Sequence, residues 1–239
     1  MQMKYMAGAG ITLCLMSMTC QAFQLGGLRL VLNEEQKSTS ISVISGKDDP
    51  VYLIHSRITR APDGTGTVPN FLVTPPLFRL DKNTTGMVRV SLLNVQGLPT
   101  NQESVFYLKV SGIPSTNPLE RGNGTGFTGG QVIFGTGSVI KFFYRPHGMP
   151  APTLATYQSV SYTRVPGGVL VTNPTPYHIT FGPTKVDGRL LKFNKSTQPV
   201  MLPPFGKQVY ITSSPQKKQI AWSMIDDNGN KQKGTSLIR

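Results

Sequence analysis

Apolar and polar positions alternate along most of this chain in short runs with a period of two. Leu28, Leu30 and Leu32 flank Arg29 and Val31; Ile41 and Val43 follow, then Val51, Leu53 and Ile54, then Val88, Val90 and Leu92. Residues 105–110 are dense in β-branched and aromatic side chains, and Val132 and Phe134 lead into the apolar run 140–144. The pattern resumes at 160–165, 169–171, 177–181, 209–211 and 220–225. Gly, Pro, Asn or Asp bounds each run, and no helical period is evident after residue 22. Side chains of a strand alternate between two faces, so these runs read as half-buried strands. Many short strands separated by turn residues predict an all-β sandwich or barrel.

The sharpest interruption is Pro146-His147-Gly148-Met149-Pro150-Ala151-Pro152, where three prolines and a glycine break both helix and central strand. It predicts a first domain over 23–147, a linker at 148–153 and a second domain over 154–239. Residues 121–130 are half glycine. A phosphate-cradling loop would need a following Lys-Ser or Lys-Thr and a helix; neither is there, so this stretch reads as a flexible loop between strands.

The first 22 residues differ from the rest. Lys4 precedes an apolar run from Met6 to Met18, and Cys20-Gln21-Ala22 places small residues at both ends of a triplet. This reads as a secretory signal peptide cleaved after Ala22. A buried N-terminal helix and lipid attachment at Cys20 are the other readings. The apolar run falls short of the roughly 20 residues that span a bilayer, so membrane insertion is not expected. Both cysteines, Cys14 and Cys20, lie in this segment. The remaining chain is therefore expected to fold without disulfides, on cores large enough to stand unaided. It offers no thiol nucleophile, and its three histidines, His55, His147 and His178, give no metal spacing. No cofactor or metal is expected. The net charge of +13 is scattered rather than gathered in a tract, which reads as a solvated basic surface and not as a nucleic-acid site.

Several motifs now fit one family. Leu98-Pro99-Thr100-Asn101-Gln102-Glu103-Ser104-Val105-Phe106-Tyr107, closed by Ile113-Pro114, resembles the signature of the PapD-like periplasmic pilus chaperones. Thr74-Pro75-Pro76, Met87-Val88-Arg89-Val90, residues 140–146, Asn173-Pro174-Thr175-Pro176-Tyr177, Met201-Leu202-Pro203 and residues 225–229 match the family as well, in its order. The resemblance implies two immunoglobulin-like β-sandwiches set at an angle, with a cleft between them. It also implies a non-enzymatic periplasmic protein that lends a strand to pilus or fimbrial subunits and delivers them to an outer-membrane usher. A self-capping dimer through the exposed edge is a further possibility.

The same resemblance implies residue roles. Residues 131–143 would be the lent strand, with Val132, Phe134, Thr136 and Ile140 on one face. Relatives usually show three or more large alternating apolar residues there; this chain has two before Gly135-Thr136-Gly137-Ser138. Arg29 and Lys141 would grip the C-terminal carboxylate of a subunit through charge-assisted hydrogen bonds. Leu28 stands where relatives often carry threonine. Glu103, Arg145 and Asp227 would form a charge network between the domains, with Asp226 an alternative partner. Two other functions compete. A structural pilus subunit or adhesin would carry a cysteine pair and an N-terminal extension, and residues 23–27 are too short for one. An exported hydrolase would show a nucleophile or carboxylate constellation, and none stands out among 11 acidic residues.

Overall fold

The computed structural model describes residues 23–115, 135–194, 197–212 and 219–239; the expected leader, the glycine-rich stretch 121–130, and Val132 and Phe134 lie outside the described residues. The first half forms β1 (Gln24–Leu25), β2 (Arg29–Asn33), β3 (Ser38–Ile44), β4 (Tyr52–Thr59), β5 (Phe71–Thr74), β6 (Leu77–Leu80), β7 (Thr85–Leu92), β8 (Ser104–Pro114) and β9 (Thr136–Arg145). They build two sheets, ordered β1-β3-β7-β5 and β2-β9-β8-β4-β6. The period-two pattern explains why the sheets pack. Ile41 and Val43, Val88 and Val90, and Phe106, Leu108 and Val110 turn every second side chain into one core. Phe71 closes it, edge-on to Phe106 and Phe142 with ring centroids 5.3 and 4.8 Å away.

The second half adds β10 (Ser161–Val165), β11 (Gly168–Thr172), β12 (Ile179–Thr180), β13 (Lys185–Val186), β14 (Arg189–Leu190), β15 (Met201–Leu202), β16 (Lys207–Ile211), β17 (Gln219–Ile225) and β18 (Lys231–Leu237). Sheets β10-β11-β16 and β14-β13-β17-β18, with the pair β12-β15, enclose a separate core around Tyr162, Val171, Tyr210, Trp222 and Met224. A short helix, α1 (Leu154–Gln158), opens this half, where the sequence pattern predicts no helix. Thr156 Oγ1 accepts a hydrogen bond from Thr153 N at 3.0 Å across its first turn. Five residues are too few to leave an apolar helical period, so the pattern concealed it.

The sheets that β1 and β2 join decide how much of β9 is covered. β1 pairs with β3 in the first sheet, but β2 belongs to the second. The crossing falls on Gly26 and Gly27. Gly26 N donates to Ser42 O at 2.9 Å, and a β-carbon at Gly26 would come within 3.1 Å of Ser42 Cβ. The backbone approaches its neighbour there more closely than a side chain comfortably allows. Leu28, expected to continue the Leu30 and Leu32 face, is instead 74% exposed, because the strand begins only at Arg29.

From Arg29 onward β2 runs parallel to β9, with Arg29 opposite Lys141 and Asn33 opposite Arg145. β8 pairs with β9 along a longer stretch, from Thr136 to Tyr144. Residues 136–140 of β9 therefore have a strand neighbour on one side only among the described residues.

Candidate functional site

β9 carries the site by simple alternation. Phe142 and Tyr144 turn into the first core, while Lys141, Phe143 and Arg145 turn to the opposite face, towards the second half. Tyr144 reaches back out through its hydroxyl, which donates to Glu34 Oε2 at 2.6 Å. Ile140, grouped by sequence with the donated side chains, is partly buried against the first core, one step along the face of Phe142. Thr136 precedes it on the same face of the half-open stretch.

Arg29 and Lys141 lie side by side as register partners. Lys141 Nζ donates to Thr180 Oγ1 at 3.3 Å, and Arg29 Nη1 donates to Ile225 O at 3.2 Å, so both reach across to the second half. The Arg29 guanidinium also sits 5.4 Å from the centroid of the Phe143 ring. Among the described residues neither cation forms an ion pair. Burial pushes the Lys141 ammonium down to about 8, and the adjacent Arg29 charge pushes the same way. Burial also lowers Arg29, against the attraction of Asp227. Two cations thus stand side by side in a partly dry cleft, with Asp227, Glu103 and Asp226 acting on Arg29 from a distance.

Arg145 has the opposite surroundings. Its Nε donates to Glu103 Oε1 at 2.9 Å, and its Nη1 and Nη2 donate to Asp227 Oδ2 and Oδ1 at 2.6 and 2.7 Å. Burial works against the Arg145 charge, but the Asp227 hydrogen bonds and the Glu103 charge outweigh it and raise its pKa. Asp226 does not compete. Its Oδ1 accepts from Asn228 N and Asn230 N, and its Oδ2 from Gln232 Nε2, which closes the 226–230 turn. Glu103 also binds the second half directly: Oε2 accepts from His178 N at 2.8 Å and lies 3.0 Å from His178 Nδ1, while Glu103 N donates to Pro176 O. His178, Thr180 and the Ile225 carbonyl were not singled out from sequence. Asn173-Pro174-Thr175-Pro176 announces a turn, but nothing local says that the turn faces Glu103.

Residues 22–150 match the family of pili and flagellar-assembly chaperones through the PapD N-terminal domain, and residues 155–236 match the PapD C-terminal domain of pili-assembly chaperones. The chain belongs to the PapD family of pilus-assembly chaperones. Its two halves are immunoglobulin-like sandwiches, and the family's work is chaperoning rather than catalysis. YcbF, an uncharacterized fimbrial chaperone of Escherichia coli K12, is 31% identical over 210 residues, covering 86% of this chain and 83% of its own. The crystal structure of the E. coli chaperone DraB superposes with a TM-score of 0.74 at 26% identity, over 91% of this chain and 98% of DraB. The periplasmic chaperone SfaE superposes with a TM-score of 0.71 at 27% identity, over 91% of this chain and all of SfaE. In this PapD-type chaperone the cation pair sits where β2 begins and the half-open stretch of β9 ends.

Proposed function

We propose that this chaperone works in the periplasm, capping pilus or fimbrial subunits by strand donation and passing them to an outer-membrane usher. The observation that carries the reading is the register of β9. Among the described residues, 136–140 have an open backbone edge, and Arg29 and Lys141 stand at the end of that opening. A subunit strand running parallel to β9 would occupy the track that β2 does not cover, take up its free hydrogen-bonding groups, and end with its carboxylate between the two cations. Residues 131–135 would extend the lent strand, with Val132, Phe134 and Thr136 filling the subunit groove. A fixed terminus matters, because a slip of one residue would turn every groove-filling side chain to the wrong face. Glu103, Arg145 and Asp227 would hold the angle between the domains and thus the cleft width. Residues 1–22 would direct export.

The test is co-expression with a cognate fimbrial subunit. Arg29→Ala and Lys141→Ala should each abolish the stable complex while leaving the far-UV circular dichroism and unfolding midpoint of the free chaperone near wild type. Recovery of the subunit with both variants at wild-type yield would overturn the reading.

A further inference from the structure

The sheet β14-β13-β17-β18 of the second half carries a cluster that strand donation does not use. Ile220, Trp222 and Met224 of β17 turn into the second core, so Ala221 and Ser223 turn to the outer face. Register sets Lys185 of β13 opposite Ala221, Lys233 of β18 opposite Ser223 and Lys231 opposite Ile225, all on that outer face. A cavity of about 360 Å³ opens there, and Lys185, Lys231, Lys233, Pro183, Ala221 and Ser223 line it. Neither Arg29 nor Lys141 belongs to it. We propose that this cavity binds a phosphate ester, its phosphate held by the three lysines and the Ser223 hydroxyl and its organic part lying over Pro183 and Ala221.

Three observations lead there. First, the charge is uncompensated. Among the described residues lining the cavity there is no carboxylate, and none of the three lysines forms an ion pair with a described residue. Lys231 and Lys233 stand two positions apart on one strand face, with Lys185 across β17 from them. Like charges so grouped repel one another, and a bound anion relieves the repulsion. Second, Ser223 is only 5% exposed, yet its Oγ has no hydrogen-bond partner. A buried hydroxyl left unpaired costs stability, so its presence calls for a use. The neighbouring chain leaves that hydroxyl room: Gly182 N donates to Ser223 O at 2.8 Å, and a β-carbon at Gly182 would come within 2.7 Å of Ser223 Oγ. Third, the cations and the shape favour phosphate. An ammonium is a compact charge with three donors that suits a tetrahedral anion, whereas a planar carboxylate is best matched by the fork of a guanidinium. A phosphate monoester carries about two negative charges near neutral pH, which offsets most of the three positive ones. The volume lies in the lower part of the roughly 300–1,000 Å³ range of small-ligand pockets, which leaves space for an organic group beside the phosphate.

The test uses the free chaperone and is independent of any client. Calorimetric titrations with glycerol 3-phosphate, inorganic phosphate and glycerol are run at one ionic strength, set with sodium chloride. Glycerol 3-phosphate should bind saturably with a Kd below about 1 mM, and glycerol should not bind. Ser223→Ala and Lys233→Gln should each weaken that binding about tenfold, as loss of one charge-assisted hydrogen bond predicts. Ser223→Ala should also keep or raise the unfolding midpoint, because it removes an unpaired hydroxyl; a purely structural serine would move the midpoint and leave binding alone. Vesicles of phosphatidylglycerol, with phosphatidylcholine as control, separate the two sources of the phosphate. Retention on phosphatidylglycerol alone, competed by glycerol 3-phosphate, identifies a lipid headgroup; glycerol 3-phosphate binding without retention identifies a soluble ester. Absence of saturable binding up to about 10 mM together with no retention would overturn the proposal, and so would binding or retention of equal strength in wild type and both variants.

Discussion

Arg145→Met removes the centre of the network between the domains while keeping most of an unbranched stem. Three hydrogen bonds go, at 2.9, 2.6 and 2.7 Å. The two carboxylates left behind do not suffer equally. Asp227 is 27% exposed and can turn to water, whereas Glu103 is 2% exposed and keeps only its His178 contacts on one oxygen. The loss therefore falls mainly on a stranded buried charge. Breaking such a pair from one side costs about 3–5 kcal/mol. With a urea slope of about 2 kcal/mol per molar, the unfolding midpoint should fall by about 1.5–2.5 M. Trp222, the one tryptophan of the chain, reports from the second core, and circular dichroism reports on both. Adding Glu103→Gln to Arg145→Met removes the stranded charge and should restore part of the loss, a coupling of about 2 kcal/mol. A destabilisation below about 1 kcal/mol for Arg145→Met, or no recovery in the double variant, would refute the assignment of that stability to a buried, charge-balanced network.

Three further outcomes can be measured on the same protein. Lys141, held near 8 by burial and by Arg29, must be charged to grip a carboxylate, so the complex retains a proton that the free chaperone loses above that pH. Affinity for a free-carboxylate peptide should be level below about pH 7 and about tenfold weaker at pH 9, with Lys141→Arg flattening the curve; a flat wild-type profile from pH 6 to 9 contradicts this. Gly234→Ala would normally help a strand, but its β-carbon would collide with the ring of Trp222, itself only 3% exposed. Calorimetry should show a loss of about 1–3 kcal/mol rather than a gain. The Tyr144 hydroxyl, first among its partners, holds the Glu34 carboxyl below its ordinary value. The contribution of Glu34 is therefore full above about pH 4.5 and is lost as pH falls through its lowered value. Urea midpoints of wild type and Glu34→Gln should differ at pH 7 and converge in acid.

Much of the scaffold is local and so could be read from the chain. The alternation at Val88 and Val90 or at Phe106, Leu108 and Val110 depends on strand geometry alone, and these residues are buried in the first core. The order of the motifs likewise pointed to the family and, through it, to Glu103, Arg145 and Asp227, which the fold brings into contact. What stayed hidden depends on the far side of an interface. The choice of Asp227 over Asp226 comes from the 226–230 turn, which uses up the first carboxylate on its own backbone. His178 meets Glu103 only because the two halves are docked. Helix α1 is too short to leave a period, and Leu28 falls one residue before a strand whose starting point is set by a crossing between sheets.

That crossing is the source of the open edge. Nothing in residues 136–140 marks them as lacking a second strand neighbour among the described residues: Thr136, Ser138 and Ile140 alternate like any strand that completes its own domain. The opening is created more than 100 positions earlier, where Gly26 and Gly27 let the chain stay with β3 for two residues before it joins β9 at Arg29. Had the chain crossed sooner, β2 would have covered the edge and no track would remain. The pairing of Arg29 with Lys141 thus sets two things at once: how much of β9 is left uncovered, and where the two cations stand relative to its end. A bulky residue in place of Gly26, forced against Ser42, should shift that crossing and with it both features together. Gly26→Val should therefore weaken binding of a free-carboxylate peptide more than its effect on the unfolding midpoint accounts for. Peptide binding that stays at the wild-type level in a folded Gly26→Val chaperone would show that the cations hold their place independently of the crossing.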